Sequence, residues 1–283
     1  MPVANVRGAN INYEVLGDSG PWVSLTPGGR RDLDGVRYLA ERVAAQGFRV
    51  LLHDRRNCGA SDVVLEGDDA EYVIWADDLK ELLEQLGATP AFVGGTSAGC
   101  RLALLTYLRH PEIVRGLLLW RVTGGRFAAE RLAQQYYGQY IEMAQAGGMQ
   151  AVADSEHFAE RIAANPANRE KILSIDSGRF IEAFERWRRG FLADADLPVI
   201  GATEAALNGI AIPTCIVPGN DLTHPRLVGE NAARLIPEAE CHVLLKSDRD
   251  LDVSPPEDLE AVADDHARVY VEFMNKHAAV GAD

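Results

Sequence analysis

The sequence predicts an α/β protein built on a mostly parallel sheet flanked by helices. Three observations predict it. Short apolar runs alternate with helical patterns at βαβ spacing over the first 120 residues, and again after about residue 213. A glycine-flanked serine sits where one such run turns into the next helix. The stretch between the two alternating halves is helical only, as an insertion into a sheet would be.

Each element rests on its own pattern. Residues 10–16 alternate like a strand and end at the turn Gly17-Asp18-Ser19-Gly20-Pro21. Residues 22–25 form a short apolar run that stops at Pro27-Gly28-Gly29. Residues 36–45 have helical periodicity up to Gly47, and residues 48–52 are a further strand before a polar loop over 53–62. Residues 72–86 read as an amphipathic helix with acidic residues near its start. Residues 91–93 run into Gly94-Gly95, and residues 98–109 form a helix stopped by Pro111. Residues 114–120 are continuously apolar, as a strand covered on both faces should be. Helices over 127–146, 150–164 and 179–191 follow. Alternation then resumes with a strand at 214–217, a helix at 225–235, a strand at 241–245 and a long final helix at 256–277. The expected organisation is a core of residues 1–121 and 208–283 with a helical cap inserted over 122–207.

Bulk properties narrow the class of function. A chain of 283 residues suits one large α/β domain with an insertion. A formal net charge of -14 opposes nucleic acid and anionic membrane as main partners. Cys58, Cys100, Cys215 and Cys241 form no CxxC pair and are expected as buried free thiols in a reducing compartment. No apolar run approaches membrane-spanning length and the first residues lack an apolar leader, so a cytoplasmic protein is expected.

The chemistry centres on Gly95-Thr96-Ser97-Ala98-Gly99, a G-x-S-x-G between a strand and a helix. A sharp turn there strains the serine backbone, and only glycine-sized neighbours leave room for it. It holds Oγ clear of the sheet and aims helix N–H groups at a developing oxyanion. The pentapeptide alone occurs by chance; its strand–turn–helix context makes it specific. The loop Thr26-Pro27-Gly28-Gly29-Arg30 can bring a backbone amide beside Ser97, so the N–H groups of Gly29 and Ala98 are the expected oxyanion hole. The bland alternative for that loop is a tight turn chosen for geometry alone.

The segment His53-Asp54-Arg55-Arg56-Asn57-Cys58-Gly59-Ala60-Ser61-Asp62 carries a resemblance. With it, nearly the whole chain resembles the α/β-hydrolase family, which often has D-x-R-G-x-G-x-S after its fourth strand. Asp54, Arg56, Gly59 and Ser61 match, while Asn57 stands where a glycine is usual. The resemblance implies an eight-stranded sheet, a structural role for this loop, and a helical cap at 127–207. It also implies a triad acid after the strand at 214–217, where Val217-Pro218-Gly219-Asn220-Asp221 presents Asp221.

The family pattern fails at the base. The family places a histidine in the loop after its last strand, shortly before a Pro-Glu pair. Here the matching position is Arg249, and no histidine occurs between His242 and His266. Arginine stays protonated and cannot take a proton from serine. Three explanations remain open. His224, three residues after Asp221 on the same loop, has taken over as base; or triad hydrolysis is lost and the pocket kept; or an arginine was introduced at 249 in a variant. The acidic neighbours Asp248, Asp250 and Asp252 suit a cation, which weighs against the third. Of the other histidines, His53 follows a strand end near the cleft mouth and His242 lies in a strand. No histidine or cysteine spacing resembles a metal site, and no nucleotide-binding glycine pattern follows a strand, so no metal or cofactor is expected.

A cap over Ser97 implies an enclosed site for a small or medium, partly apolar molecule. Candidate substrate contacts are Gly28, Arg30, Trp120, Arg121, Tyr137 and Trp187. Arg30 and Arg121, with Arg126 at the cap entrance, are cations able to meet a carboxylate or enolate, although salt bridges within this acidic chain explain them equally well. The leading expectation is a cofactor-independent hydrolase of a small or medium ester, lactone or activated C–C bond, with Ser97, His224 and Asp221 as catalytic residues. The alternatives are a ligand-binding member of the fold without a base, and a lyase or isomerase in the same pocket. The expected partner is a small-molecule substrate, and exposed cap helices offer a surface for a homodimer.

Overall fold

The structure is a computed structural model that describes residues 1–65 and 69–278. Its elements in chain order are β1 (Val3–Val6), β2 (Ala9–Leu16), β3 (Trp22–Thr26), α1 (Arg37–Ala44), β4 (Arg49–His53), α2 (Glu71–Gln85), β5 (Ala91–Thr96), α3 (Ala98–Arg109) and β6 (Val114–Trp120). The helical stretch holds α4 (Arg126–Ala133), α5 (Gln139–Ala153), α6 (Glu156–Ala164), α7 (Ala167–Leu173) and α8 (Ser177–Ala193). After it come α9 (Glu204–Asn208), β7 (Thr214–Val217), α10 (Arg226–Leu235), β8 (Glu240–Cys241), α11 (Pro256–Glu260) and α12 (Ala263–Ala278). Among the described residues eight strands form one sheet in the order β1-β2-β4-β3-β5-β6-β7-β8. The β1–β2 and β2–β4 pairs are antiparallel, and all others are parallel.

Strand β6 shows how the sheet is covered. Leu117 and Leu119 face a cluster with residues of α2, α3 and α10, while Leu118 and Trp120 face α1 and α12. Alternate residues of a strand point to opposite faces, so a run apolar at every position needs helices on both sides. Helices α4–α8 instead share a separate apolar cluster with Val63, Leu65 and Ile74. Val199, Ala202 and Leu207 already pack into the sheet-side core, so in packing terms the chain returns before the expected boundary at 208.

Several elements differ from expectation. Strand β1 has no counterpart in the sequence pattern; it is a short edge strand with no long apolar run to mark it. The expected strand over 241–245 shortens to Glu240–Cys241, because the chain beyond His242 leaves the sheet edge for the loop that reaches the site. Cys241 is accordingly exposed, unlike the buried Cys58, Cys100 and Cys215. The helix expected over 150–164 breaks at Asp154 and Ser155, whose polar side chains favour a cap over a helix interior. The helix expected over 127–146 includes a single π-helical turn at Gln134–Gly138. No helix among the described residues is long and apolar enough to cross a membrane.

Under the sheet, His266 on α12 packs edge-on against Trp120 with ring centroids 4.3 Å apart, and neither ring nitrogen has a hydrogen-bond partner. Burial pulls its pKa down to about 3, so the folded protein holds the neutral ring. The unfolded chain binds the proton below about pH 6.5. The stabilisation is therefore complete above that value and declines as pH falls toward 3, by about 1.4 kcal/mol per pH unit. His266→Leu is expected to flatten the dependence of the urea midpoint on pH between 7 and 5. An unchanged slope would show that His266 does not drive acid destabilisation.

Candidate active site

The strands carry the site by register. Thr26 on β3 pairs with Gly95 on β5, Thr96 on β5 with Trp120 on β6, and Trp120 with Val217 on β7. These four strands therefore end level at the carboxyl edge of the sheet. The residues that follow them are the Pro27–Arg30 loop, Ser97, Arg121 and the loop to His224. Crevices at this edge are where open parallel sheets bind ligands.

Ser97 stands between β5 and α3 at φ 56° and ψ -112°, the strained conformation expected of a serine elbow. The flanking glycines make the turn possible. A Cβ at Gly95 would lie 2.4 Å from the Thr26 carbonyl oxygen, and one at Gly99 would lie 2.1 Å from it. Any larger residue would push β3 away from the elbow. A Cβ at Gly28 would come within 3.1 Å of Ser97 Cβ, so the loop after β3 runs directly against the serine. Arg31 N–H donates to the Gly28 carbonyl at 3.3 Å and fixes the peptide plane that carries the Gly29 amide. Arg55 donates to the Gly29 carbonyl at 2.7 Å. Ala98 is the first residue of α3, where an N–H has no partner within the helix.

The structure brings His224 to Ser97. Its Nε2 lies 2.8 Å from Ser97 Oγ, and its Nδ1 lies 2.8 Å from Asp221 Oδ1. All three side chains are buried. The His224 backbone N–H also donates to Asp221 Oδ1 at 2.8 Å, so one carboxylate oxygen fixes both the loop and the ring. Asp221 Oδ2 accepts from the Ser254 N–H at 2.7 Å and from Arg121 Nη2. Burial alone would raise the Asp221 carboxyl. The His224 ring, the Arg121 guanidinium and the Ser254 amide together hold it well below the usual carboxylate range. Burial, aided by the Arg121 charge, pulls His224 down to about 4 against the opposing pull of Asp221.

Arg121 Nη2 also comes within 3.1 Å of His224 Nδ1. Asp221 is the acceptor within reach of Nδ1, so Nδ1 carries the proton and the guanidinium contact is donor against donor. That leaves the lone pair of Nε2 facing the serine hydroxyl. Ser97 Oγ lies 3.5 Å from Thr123 Oγ1, a neighbour without a sequence signal.

The loop holding Arg249 serves another purpose. Leu222 and Thr223 N–H donate to the Leu251 and Asp252 carbonyls, and Arg249 N–H donates to the Asn220 carbonyl at 2.6 Å. These bonds strap residues 249–252 onto the Asp221 loop and deliver Ser254 to it. The Arg249 side chain points outward and pairs with Asp258 at 2.6 Å.

A chamber of about 140 Å³ over Ser97 is lined by Gly28, Gly29, Trp120, Arg121 and His224 among others. Three expected substrate contacts do not line it. Arg30 makes a buried two-pronged ion pair with Glu71, and Tyr137 donates to the same carboxylate at 3.2 Å. Trp187 is buried in the cap cluster and donates to the Asp69 carbonyl at 2.8 Å. Tyr137 and Trp187 stay within the cap because its aromatics pack on one another, as residues at helical spacing usually do, whereas Arg30 borders a larger outer cleft. Arg121 lines the chamber, but its Nη2 is committed to Asp221. Arg126 is exposed and paired with Asp196. His53, expected near the cleft mouth, is buried at the end of β4 and does not line the chamber.

The matching loop of residues 53–62 is structural, as expected. Asp54 accepts from Asn12 Nδ2, Leu33 N–H and Ala60 N–H, and Arg56 forms a two-pronged pair with Asp78. Asn57 adopts φ 68°, which explains why a glycine is usual there.

The comparisons agree with this architecture. Curated relatives match part of the chain, two of them as follows. An uncharacterized hydrolase, YraK, from Bacillus subtilis (strain 168) is 34% identical over 113 residues, 40% of this chain and 41% of its own. The sn-1-specific diacylglycerol lipase ABHD11 of Mus musculus is 39% identical over 119 residues, 41% of this chain and 38% of its own. The match thus spans about two fifths of the length of each. Solved structures match along almost the full length. The enol-lactonase from Burkholderia xenovorans LB400 superposes with a TM-score of 0.64 at 22% identity, covering 97% of this chain and 100% of that one. A meta-cleavage product hydrolase from Pseudomonas fluorescens IP01 gives 0.66 at 19% identity, covering 98% of each. Residues 21–249 match the family described as alpha/beta hydrolase fold. With the sheet order, the serine elbow and a family match over most of its length, the chain belongs to the α/β-hydrolase fold family.

Proposed function

We propose that the protein is a cofactor-independent serine hydrolase acting on a small or medium ester, lactone or activated C–C bond, with Ser97, His224 and Asp221 as its triad. The observation that carries this reading is the 2.8 Å approach of His224 Nε2 to Ser97 Oγ while Nδ1 is held by Asp221. For an ester, Ser97 Oγ attacks the carbonyl carbon and its proton passes to His224 Nε2. Asp221 steadies the imidazolium, and the amides of Gly29 and Ala98 receive the negative charge on the carbonyl oxygen. His224 then gives the proton to the departing alcohol. Water, deprotonated by the same ring, releases the acid and restores the serine. A base in hydrogen-bond reach of the serine favours hydrolysis over binding alone, which needs none; a lyase or isomerase would use the same base for acid–base chemistry, and turnover of simple esters separates it from a hydrolase. An enol-lactonase and a meta-cleavage product hydrolase among proteins of the same fold are in keeping with this substrate range.

A fluorophosphonate probe tests the reading directly. Peptide mapping is expected to find the label on Ser97 alone, and absence of label on an intact, folded protein would refute a serine nucleophile. The role of position 249 has its own test. Adding Arg249→His to a His224→Ala variant is expected to restore no ester hydrolysis, because that side chain points away from Ser97 toward Asp258. Recovery of activity would mean that the strapped loop can reorient.

A further inference from the structure

The walls of the chamber over Ser97 carry an unusual charge balance. The protein has 42 acidic and 28 basic residues, yet the lining holds Arg31, Arg121 and Arg131 and, among the described residues, no carboxylate. Arg121 is matched by Asp221, and Arg131 by Asp252 at 3.1 Å. Arg31 has no hydrogen bond or ion pair from its side chain among the described residues. It also borders a larger outer cleft that shares Gly35, Gln135 and Tyr136 with the chamber, so it stands where the two spaces meet.

Two further donors lie behind the chamber wall without a partner. Arg121 Nε and the Tyr38 hydroxyl are both shielded from solvent and unpaired. Arg121 as a whole is only 5% exposed. Buried donors without acceptors are costly, and together with the exposed, unmatched Arg31 they leave this side of the chamber short of negative charge. Burial dominates the titration of Tyr38 and Arg121, and the Arg31 charge reaches both, which places the three groups within one field.

We propose that the chamber recognises a carboxylate carried by the substrate, held by Arg31 in the field of the buried Arg121 guanidinium. The substrate class is then an ester or lactone of an acid that keeps a second, free carboxylate, or of an alcohol that bears one. This inference rests on the Ser97 chemistry proposed above and adds its specificity. It also answers an electrostatic difficulty. Arg121 lies against His224, which must become an imidazolium during the reaction. A substrate anion beside Arg121 offsets that repulsion when the ring charges, so the anion assists the chemical step as well as binding.

Two matched ester pairs test it. Mono-(4-nitrophenyl) adipate is compared with 4-nitrophenyl adipamate, and the butyrate ester of 4-hydroxybenzoate with that of 4-hydroxybenzamide. The wild type is expected to favour the acid of at least one pair in kcat/KM by about tenfold to a hundredfold. Arg31→Gln is expected to bring that ratio close to one, and Arg31→Lys to keep part of it. Calorimetry with adipate, against adipamide, is expected to show binding that Arg31→Gln removes. Turnover of both pairs with no preference for the acid overturns the inference and leaves the hydrolase reading standing, as does a preference that Arg31→Gln leaves intact. Arg31-dependent adipate binding with no turnover of any ester, and no probe label on Ser97, supports the anion site and removes the hydrolase reading. Absence of both adipate binding and acid preference removes the anion site.

Discussion

Ser97→Ala is expected to lower kcat/KM for a small ester such as 4-nitrophenyl butyrate by about 10⁴- to 10⁶-fold, with the fold intact. The size follows from what the hydroxyl does. Without Oγ no covalent intermediate forms, and His224 has no proton to take. What remains is attack by water on a carbonyl polarised by the Gly29 and Ala98 amides, which is a small fraction of triad catalysis. Stability should change little. An alanine at this position would keep the strained φ of 56° that the elbow already imposes, and the lost hydrogen bond faces a chamber. The measurement is initial rates beside thermal melts of both proteins. Activity within tenfold of wild type in a well-folded variant would end the nucleophile assignment.

His224 should be almost as sensitive, and its pH behaviour is more diagnostic. His224→Gln is expected to cost about 10⁴-fold or more, since glutamine cannot accept the serine proton. In the wild type the ring must be neutral to act as base. Burial and the Arg121 charge hold its pKa at about 4, so protonation removes the base only in acid. The sign is that kcat/KM stays flat as pH falls from about 8 to about 5, then drops through about 4. An unperturbed imidazole would give a limb near 6.5 instead. Because His266 weakens the fold below that pH, the rates should be taken within seconds of dilution from neutral stock. Arg121→Met is expected to move the limb toward higher pH by removing the adjacent cation. A limb near 6.5 in the wild type, unmoved by Arg121→Met, would show that the guanidinium does not tune the base.

The legible parts of the site are those built from neighbouring residues. The strained serine between Gly95 and Gly99 was readable because the steric demand of the turn is met within five residues. Asp221 and His224 were readable as a pair because they lie three positions apart on one loop, where the backbone N–H of His224 reaches the same carboxylate. Arg31, Tyr38, Thr123 and Ser254 were missed. They come from four different segments, and no local pattern marks a side chain that matters only through contact across the fold. Arg30, Tyr137 and Trp187 were misplaced for the converse reason. Their chemistry suits a ligand, but Glu71 and the aromatic packing of the cap satisfy them first.

By itself, the sequence determined the alternation that makes a parallel sheet, the position of the strained serine turn and the loop that holds Asp221 and His224. Those are consequences of side-chain periodicity and short-range sterics, which act along the chain. The tertiary structure decided which histidine meets the serine, what Arg121 does and which cations are left unpaired in the chamber. Those depend on strand register bringing the ends of β3, β5, β6 and β7 level, and on competition among partners far apart in sequence. Electrostatic energy depends on distance in space, and only the folded chain sets that distance.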